Sequence, residues 1–418
     1  MSMISEYRLT NCSMKLLELL FYYRGMTALQ LTKMYYDSNN PLPTQKSNIH
    51  NYLNKLKRQS LVASKKLDDN TYLGSIYYLT SKGFEAAKEM LNIEVGATEN
   101  GFILLNERSG IPTQSDLPYN LYQPPRQQVN HHLLLIDLFI QLRIHFSEEE
   151  VIDHRLSMYC STPYTHEKMD RKIRPDAEIL LPSKNSYWIE VDRATENHTQ
   201  LLAKFNNYRD YLSYLKENNL DTPFKGIIFL TDAKQRIYGL KRRWTNILSA
   251  FLKAMYSYQS EIRLILTPLN LLEDTIRFEM KRSAFNQLAK HIVHDKLHKA
   301  GYKKVIPFIK TADKTLFYAI AIRKQSYKVF FLNVSNTFDS SMYTSFHHFL
   351  NILHKIHQKS EVKGLQSQGL EQIIFHPDKD PYILKTLQNH DSLKELEDEL
   401  VMLNENIEVI QIDLPDDV

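Results

Sequence analysis

The stretch RPDAEILLPSKNSYWIEVDRATENHTQLLAKFNNYRDY, residues 174–211, decides how the rest of the chain is read. It holds two short apolar runs, 177–181 and 187–191, separated by the polar residues 182–186. Apolar runs flanking a segment with Pro, Ser and Asn predict two neighbouring strands and a turn. Leu201, Phe205, Tyr208, Leu212 and Leu215 then recur at steps of four and three, which is one face of an amphipathic helix. Folded this way, Asp176 and Glu190 sit on adjoining strands, and Lys204 lies at the edge of the buried face of the helix.

A converging Asp, Glu and Lys is how nucleases of the restriction-endonuclease type hold a divalent ion against a phosphate. Mg²⁺ takes oxygen ligands, commonly one or two carboxylates plus phosphate oxygens. The bound ion polarises the phosphoryl group and acidifies a water, and a nearby ammonium stabilises the developing charge. Asp176 and Glu190 are therefore candidate metal ligands. Asp176, Glu190, Asp192 and Lys204 form the candidate catalytic set, with Mg²⁺ as cofactor if the protein is catalytic and none otherwise. Asp192 stands two residues after Glu190, where that type of nuclease carries its lysine. In the alternative reading the fold serves DNA binding, and the carboxylates pair with Arg171, Arg174 or Arg193.

The 418 residues are enough for two or three domains with real cores. Eleven glycines predict a chain mostly in regular elements. A net charge of +4 is too small for a uniformly basic surface, so nucleic-acid contact must come from local clusters. Cys12 and Cys160 have neither metal-site nor redox spacing, and the opening residues carry no apolar signal region. A reduced, cytoplasmic protein without a membrane segment is the expectation.

Residues 14–91 read as helix, helix, helix, hairpin, helix. Thr27 suits an N-cap for a helix at 28–35, and the turn Asn40-Pro41-Leu42-Pro43 leads into a helix at 44–59. Ile49, Tyr52, Leu53 and Leu56 form its inner face. Gln45, Lys46, Asn48, Asn51, Lys55 and Arg58 lie mostly outside it. Strands at 61–66 and 72–80 flank a polar tip at 67–70 and place Lys65 and Lys66 where a wing meets phosphates. This order, with its Tyr-Leu-Thr-x-x-Gly step at 78–83, resembles the winged helix-turn-helix domains of bacterial transcription and replication factors. Asn and Gln can bond an adenine edge, and Lys or Arg a guanine edge.

Residues 92–129, rich in Gly and Pro, read as a linker. Residues 130–146 are apolar nearly all round and predict a buried helix, with His131 and His132 expected as helix-start or core residues. Residues 151–159 are expected as a strand and 160–172 as a polar loop carrying Lys168, Arg171 and Lys172. Strand, helix and strand are expected at 224–231, 233–256 and 261–267. The same order returns towards the C-terminus. Residues 186–212 match 326–353, FKGIIFLTD at 224–232 matches LEQIIFHPD at 370–378, and the helix at 131–146 matches 283–299. At that offset Leu316, Phe330 and Leu332 stand where the first copy has Asp176, Glu190 and Asp192.

The whole layout resembles the replication-relaxation family of plasmids and integrative elements. The resemblance rests on Arg174-Pro175-Asp176, on the run from Glu190 to Glu196, on Lys204 and Tyr208, and on the His that starts the apolar helix. It implies an α/β (α+β) chain. With the element order and the repeat read above, residues 1–91 are expected as a winged helix, 92–129 as a linker, 130–275 as a nuclease-like core and 280–418 as a second, degenerate core. The resemblance also implies binding of double-stranded DNA in replication, relaxation or transfer of a mobile element. The further alternatives are a Mg²⁺-dependent nickase using Asp176 and Glu190, and a non-catalytic assembly or regulatory factor. A relaxase or replication initiator and a second copy of the chain are the protein partners this implies.

Overall fold

The computed structural model describes residues 7–67, 74–91, 119–125, 128–147, 150, 153–193, 196–232, 237–259, 261–306, 317–384 and 394–413. The wing tip at 68–73, most of the linker (92–118), Thr195 and Leu316 lie outside the described residues. The chain is a mixed α/β protein that divides into two compact units, Met1–Arg193 and Ala194–Val418.

In the first unit α1 (Asn11–Tyr23) starts at Thr10, whose hydroxyl accepts from Ser13 N–H, and buries Leu16, Leu17, Leu20 and Phe21. A two-residue strand, β1 (Met26–Thr27), follows; it is too short to show in the sequence pattern. Thr27 then caps α2 (Ala28–Tyr36) in a reciprocal box with Gln30. Pro43 opens α3 (Pro43–Arg58), where its missing N–H has no cost, and Ile49, Leu53 and Leu56 are buried. β2 (Val62–Lys66) and β3 (Ser75–Leu79) form the hairpin, and β1 adds to β3, so the sheet order is β1-β3-β2. α4 (Ser81–Leu91) closes this part.

α5 (Val129–His145) is buried on most of its circumference, as its composition predicts. β4 (Asp153–Leu156), β7 (Ala177–Leu180) and β8 (Ser186–Asp192) pair antiparallel in the order β4-β7-β8. Two expectations fail between β4 and β7. The strand expected over 151–159 ends at Leu156, and residues 157–160 make one helical turn, α6 (Ser157–Cys160). Ser157 N–H still follows the β4–β7 register, donating to the Asp176 carbonyl at 2.9 Å, and the chain turns into α6 from there. The expected loop at 160–172 is a hairpin, β5 (Thr162–His166) and β6 (Met169–Ile173). Its turn residues Glu167 and Lys168 both have positive φ, 50° and 62°. Such turns favour Asn-Gly, so Glu-Lys concealed this one.

In the second unit α7 (His198–Glu217) is capped by Asn197 and Gln200 and buries all five residues predicted for its inner face. β9 (Gly226–Thr231) and β10 (Arg263–Pro268) run parallel, with α8 (Ile237–Ala254) between them in sequence. α9 (Leu272–Lys299) is longer than the predicted 283–299. Then come β11 (Lys304–Ile306), β12 (Phe317–Arg323), β13 (Ser326–Val334), α10 (Ser341–His357), β14 (Gln366–His376), α11 (Lys394–Asn404) and β15 (Ile407–Gln411). These strands form one sheet in sequence order, antiparallel from β11 to β13 and parallel from β13 to β15.

Helix, three strands, helix, strand, helix, strand occurs from α9 to β15, and also from α5 to β10 with α6, β5 and β6 inserted between the first and second of the three strands. Phe330 and Leu332 pack with Phe285, Val293, Ile373 and Phe375 in an apolar cluster. The hairpin register departs from the sequence offset: Phe317 pairs with Leu332 where Ala177 pairs with Ile189, so Asn333 rather than Phe330 stands in the place of Glu190. Within this unit Arg282 pairs with Glu279 and Asp339, and Arg263 also pairs with Glu279. Arg282 also donates to the Val334 carbonyl at 3.0 Å, which satisfies the buried guanidinium.

Candidate functional site

The β7–β8 register pairs Ala177 with Ile189 and Glu178 with Trp188, so Asp176 enters the ladder beside Glu190. Asp176 N–H donates to the Ile189 carbonyl at 2.9 Å, and its Oδ2 accepts the Val191 N–H at 2.9 Å. The same Oδ2 lies 3.0 Å from His131 Nε2. Glu190 and Asp192, two apart on β8, share a sheet face and are only 4% and 1% exposed.

Glu178 was not singled out in the sequence. It is buried at the centre of the three strands, where Arg155 and the Ser186 hydroxyl both donate to its carboxylate. A carboxylate at an alternate position of an otherwise apolar strand was the available signal. Cys160 lies among these groups. Burial raises its thiol pKa well above the usual range, and the charge of Glu178 raises it further.

Arg174, expected as a partner of the carboxylates, donates instead to the Ser157 hydroxyl at 2.9 Å. His132 is a core residue, as expected. Its Nε2 lies 2.9 Å from the Gly25 carbonyl, and burial, with the positive Arg24 nearby, pushes its pKa down to about 3. Burial and the charge of Arg174 hold the Arg24 guanidinium down at about 10. In the second unit Lys204 pairs with Glu196 at 3.0 Å and lies 5.5 Å from the centre of the Phe229 ring. Among the described residues no three His, Cys, Asp or Glu side chains converge as a metal-binding group. Of the two carboxylates expected to hold Mg²⁺, that of Asp176 accepts a backbone N–H and lies beside His131, and that of Glu190 is buried.

The other candidate surface is α3. Lys46, Asn48, Asn51, Lys55 and Arg58 are exposed, on the side away from Ile49, Leu53 and Leu56. Gln45 is placed differently: its Oε1 accepts the Leu42 N–H at 2.7 Å and closes the first turn. Leu42 is not a capping residue type, so this engagement was hidden in the sequence. Lys57 Nζ reaches Ser64 Oγ at 2.8 Å and ties α3 to β2. Lys65 and Lys66 are exposed on β2, opposite Ile76 and Ser75.

Two side chains, Gln30 and Thr80, tie this group of helices together. Gln30 Nε2 donates to the Leu133 carbonyl at 2.9 Å and to Asp137 Oδ1 at 2.8 Å, joining α2 to α5. Thr80 Oγ1 accepts the Gly83 N–H at 3.0 Å and donates to the Ser60 carbonyl at 2.6 Å, joining α4 to the end of α3.

The family model described as replication-relaxation matches residues 17–224. Residues 17–224 place this chain in the replication-relaxation family. The replication-relaxation match runs from within α1 to just before β9, so it takes in α3, the β2–β3 hairpin, Asp176, Glu190, Asp192 and Lys204. The second copy of the α/β order lies outside it. Comparison with curated proteins and with solved structures gave no match. Among the described residues no helix is long and apolar enough to cross a membrane.

Proposed function

We propose that this chain is a cytoplasmic, sequence-selective double-stranded DNA-binding protein serving replication or relaxation of a plasmid or integrative element. Residues 11–91 act as a winged helix. α3 enters the major groove, with Asn48 and Asn51 reading base edges while Lys46, Lys55 and Arg58 contact phosphates. Lys65 and Lys66 on the hairpin hold the backbone. The observation that carries this reading is the outward face of α3. Lys46, Asn48, Asn51, Lys55 and Arg58 are exposed there, while the inner face is anchored by three fully buried aliphatic residues. Selection from a random duplex pool tests it. Wild type should enrich one site and Asn51→Ala a degenerate version of it; no enrichment by wild type would overturn the reading.

Asp176, Glu178, Glu190 and Asp192 serve as a structural cluster in this account. The engagement of Asp176 by His131 and of Glu178 by Arg155 supports that role. One observation favours the nuclease reading: the Asp176 carboxylate sits on the backbone of Val191, next to Glu190. Incubation of supercoiled plasmid carrying the selected site with Mg²⁺ or Mn²⁺ decides between them. The structural role predicts no difference between wild type and Glu190→Ala; nicking by wild type alone would establish the nuclease.

A further inference from the structure

Beyond the DNA-binding reading, and independent of it, we propose that His294 and His298 form a chelating site for one divalent transition-metal ion of the Zn²⁺, Ni²⁺ and Cu²⁺ class. Both residues are exposed on α9 and lie four apart, so the side chains stand one turn above another. The opposite face of α9 carries Phe285, Ala289, Val293 and Leu297 into the apolar cluster, which fixes the solvent side.

The two Nε2 atoms are 3.1 Å apart. Nitrogens at the usual Zn–N distance of about 2.0–2.1 Å are separated by about 2.9 Å at a right angle and about 3.3 Å at the tetrahedral angle. The observed separation falls between those limits, the spacing of two nitrogens that share one ion. Asp295 Oδ1 stands 3.7 Å from His294 Nδ1. A carboxylate beside the non-coordinating nitrogen is the arrangement that orients metal-bound histidines. Both rings coordinate as neutral ligands, and water fills the remaining positions. Imidazole pairs select this class of ion, whereas Mg²⁺ prefers oxygen ligands.

Calorimetric titration of the full chain with NiCl₂, ZnCl₂ and MgCl₂ tests the proposal. One Ni²⁺ or Zn²⁺ should bind per chain, and MgCl₂ should give no heat attributable to this site. His294→Ala and His298→Ala should each weaken binding at least tenfold. His354→Ala, an exposed histidine on α10, should leave it unchanged. A rise in Tm with Zn²⁺ should appear in wild type and vanish in both site variants. Absence of Ni²⁺ and Zn²⁺ binding, or binding that survives both substitutions, would overturn the proposal. Both replaced side chains are exposed, so the variants retain the fold.

Discussion

Gly83 offers a test in which even the sign of the effect is informative. A Cβ added there would stand 1.8 Å from the Leu61 carbonyl oxygen and 2.8 Å from its carbon. Real Cβ atoms essentially never approach within 3.0 Å, so Gly83→Ala forces α4 and the start of β2 apart by more than 1 Å. That carbonyl also accepts the Thr80 N–H at 3.0 Å and the Thr80 hydroxyl at 3.2 Å. Overpacking of this kind costs about 1–3 kcal/mol, and each weakened hydrogen bond about 1 kcal/mol. Helix propensity offsets up to about 1 kcal/mol in favour of alanine. The net expectation is a loss of about 2–4 kcal/mol, or roughly 5–15 °C in Tm. Thermal unfolding followed by circular dichroism measures it. If α4 did not rest on Leu61, propensity alone would make the variant more stable. An unchanged or raised Tm would therefore refute the packing described here.

Four further outcomes are expected. Arg155→Ala leaves Glu178 as a buried carboxylate without its cation and should destabilise the chain by about 3–5 kcal/mol, while Arg155→Met with Glu178→Leu should recover most of that in urea melts. Burial holds the pKa of His132 at about 3 and that of His154 at about 4. Their unfolded forms bind protons near pH 6.5, so stability is complete above that value and should fall towards pH 4 by up to about 1.4 kcal/mol per pH unit per histidine. Chemical melts at pH 7.5 and 4.5 should show this loss, and equal stabilities would contradict it. Lys65→Ala with Lys66→Ala should weaken binding to all duplexes alike and reduce the salt slope by about 2, whereas Asn51→Ala should cost about 1–3 kcal/mol at one base pair only. Lys168→Ala with Lys172→Ala, on the β5–β6 hairpin, should leave site selection unchanged, because neither residue lies on α3.

Local patterns were readable because burial imposes them. The two apolar runs around residues 182–186 became β7 and β8, and the inner face of α7 followed its spacing residue by residue. Thr27 capped α2 because a hydroxyl there satisfies an otherwise orphaned N–H. The repeat was legible for the same reason, since element order survives where identity does not. What the sequence concealed depended on distant partners or unusual turns. Nothing local to His131 announces Asp176, forty-five positions on, and nothing local to Arg155 announces Glu178. The β5–β6 hairpin turned on Glu167 and Lys168, which carry no turn signature. Gln45 looked like a base reader because its residue type suits both roles, and only the Leu42 N–H distinguishes them.

The account stands on the outward face of α3 gripping a duplex. Its most direct test is the salt dependence of affinity for the selected site, compared with a variant in which Lys46, Lys55 and Arg58 are all alanine. With those three side chains and Lys65 and Lys66 each meeting a phosphate, log K should fall against log salt with a slope of about −4 to −5, and the variant should lose about 3 of that slope. A wild-type slope near zero, or a variant that matches wild type at every salt concentration, would contradict the account.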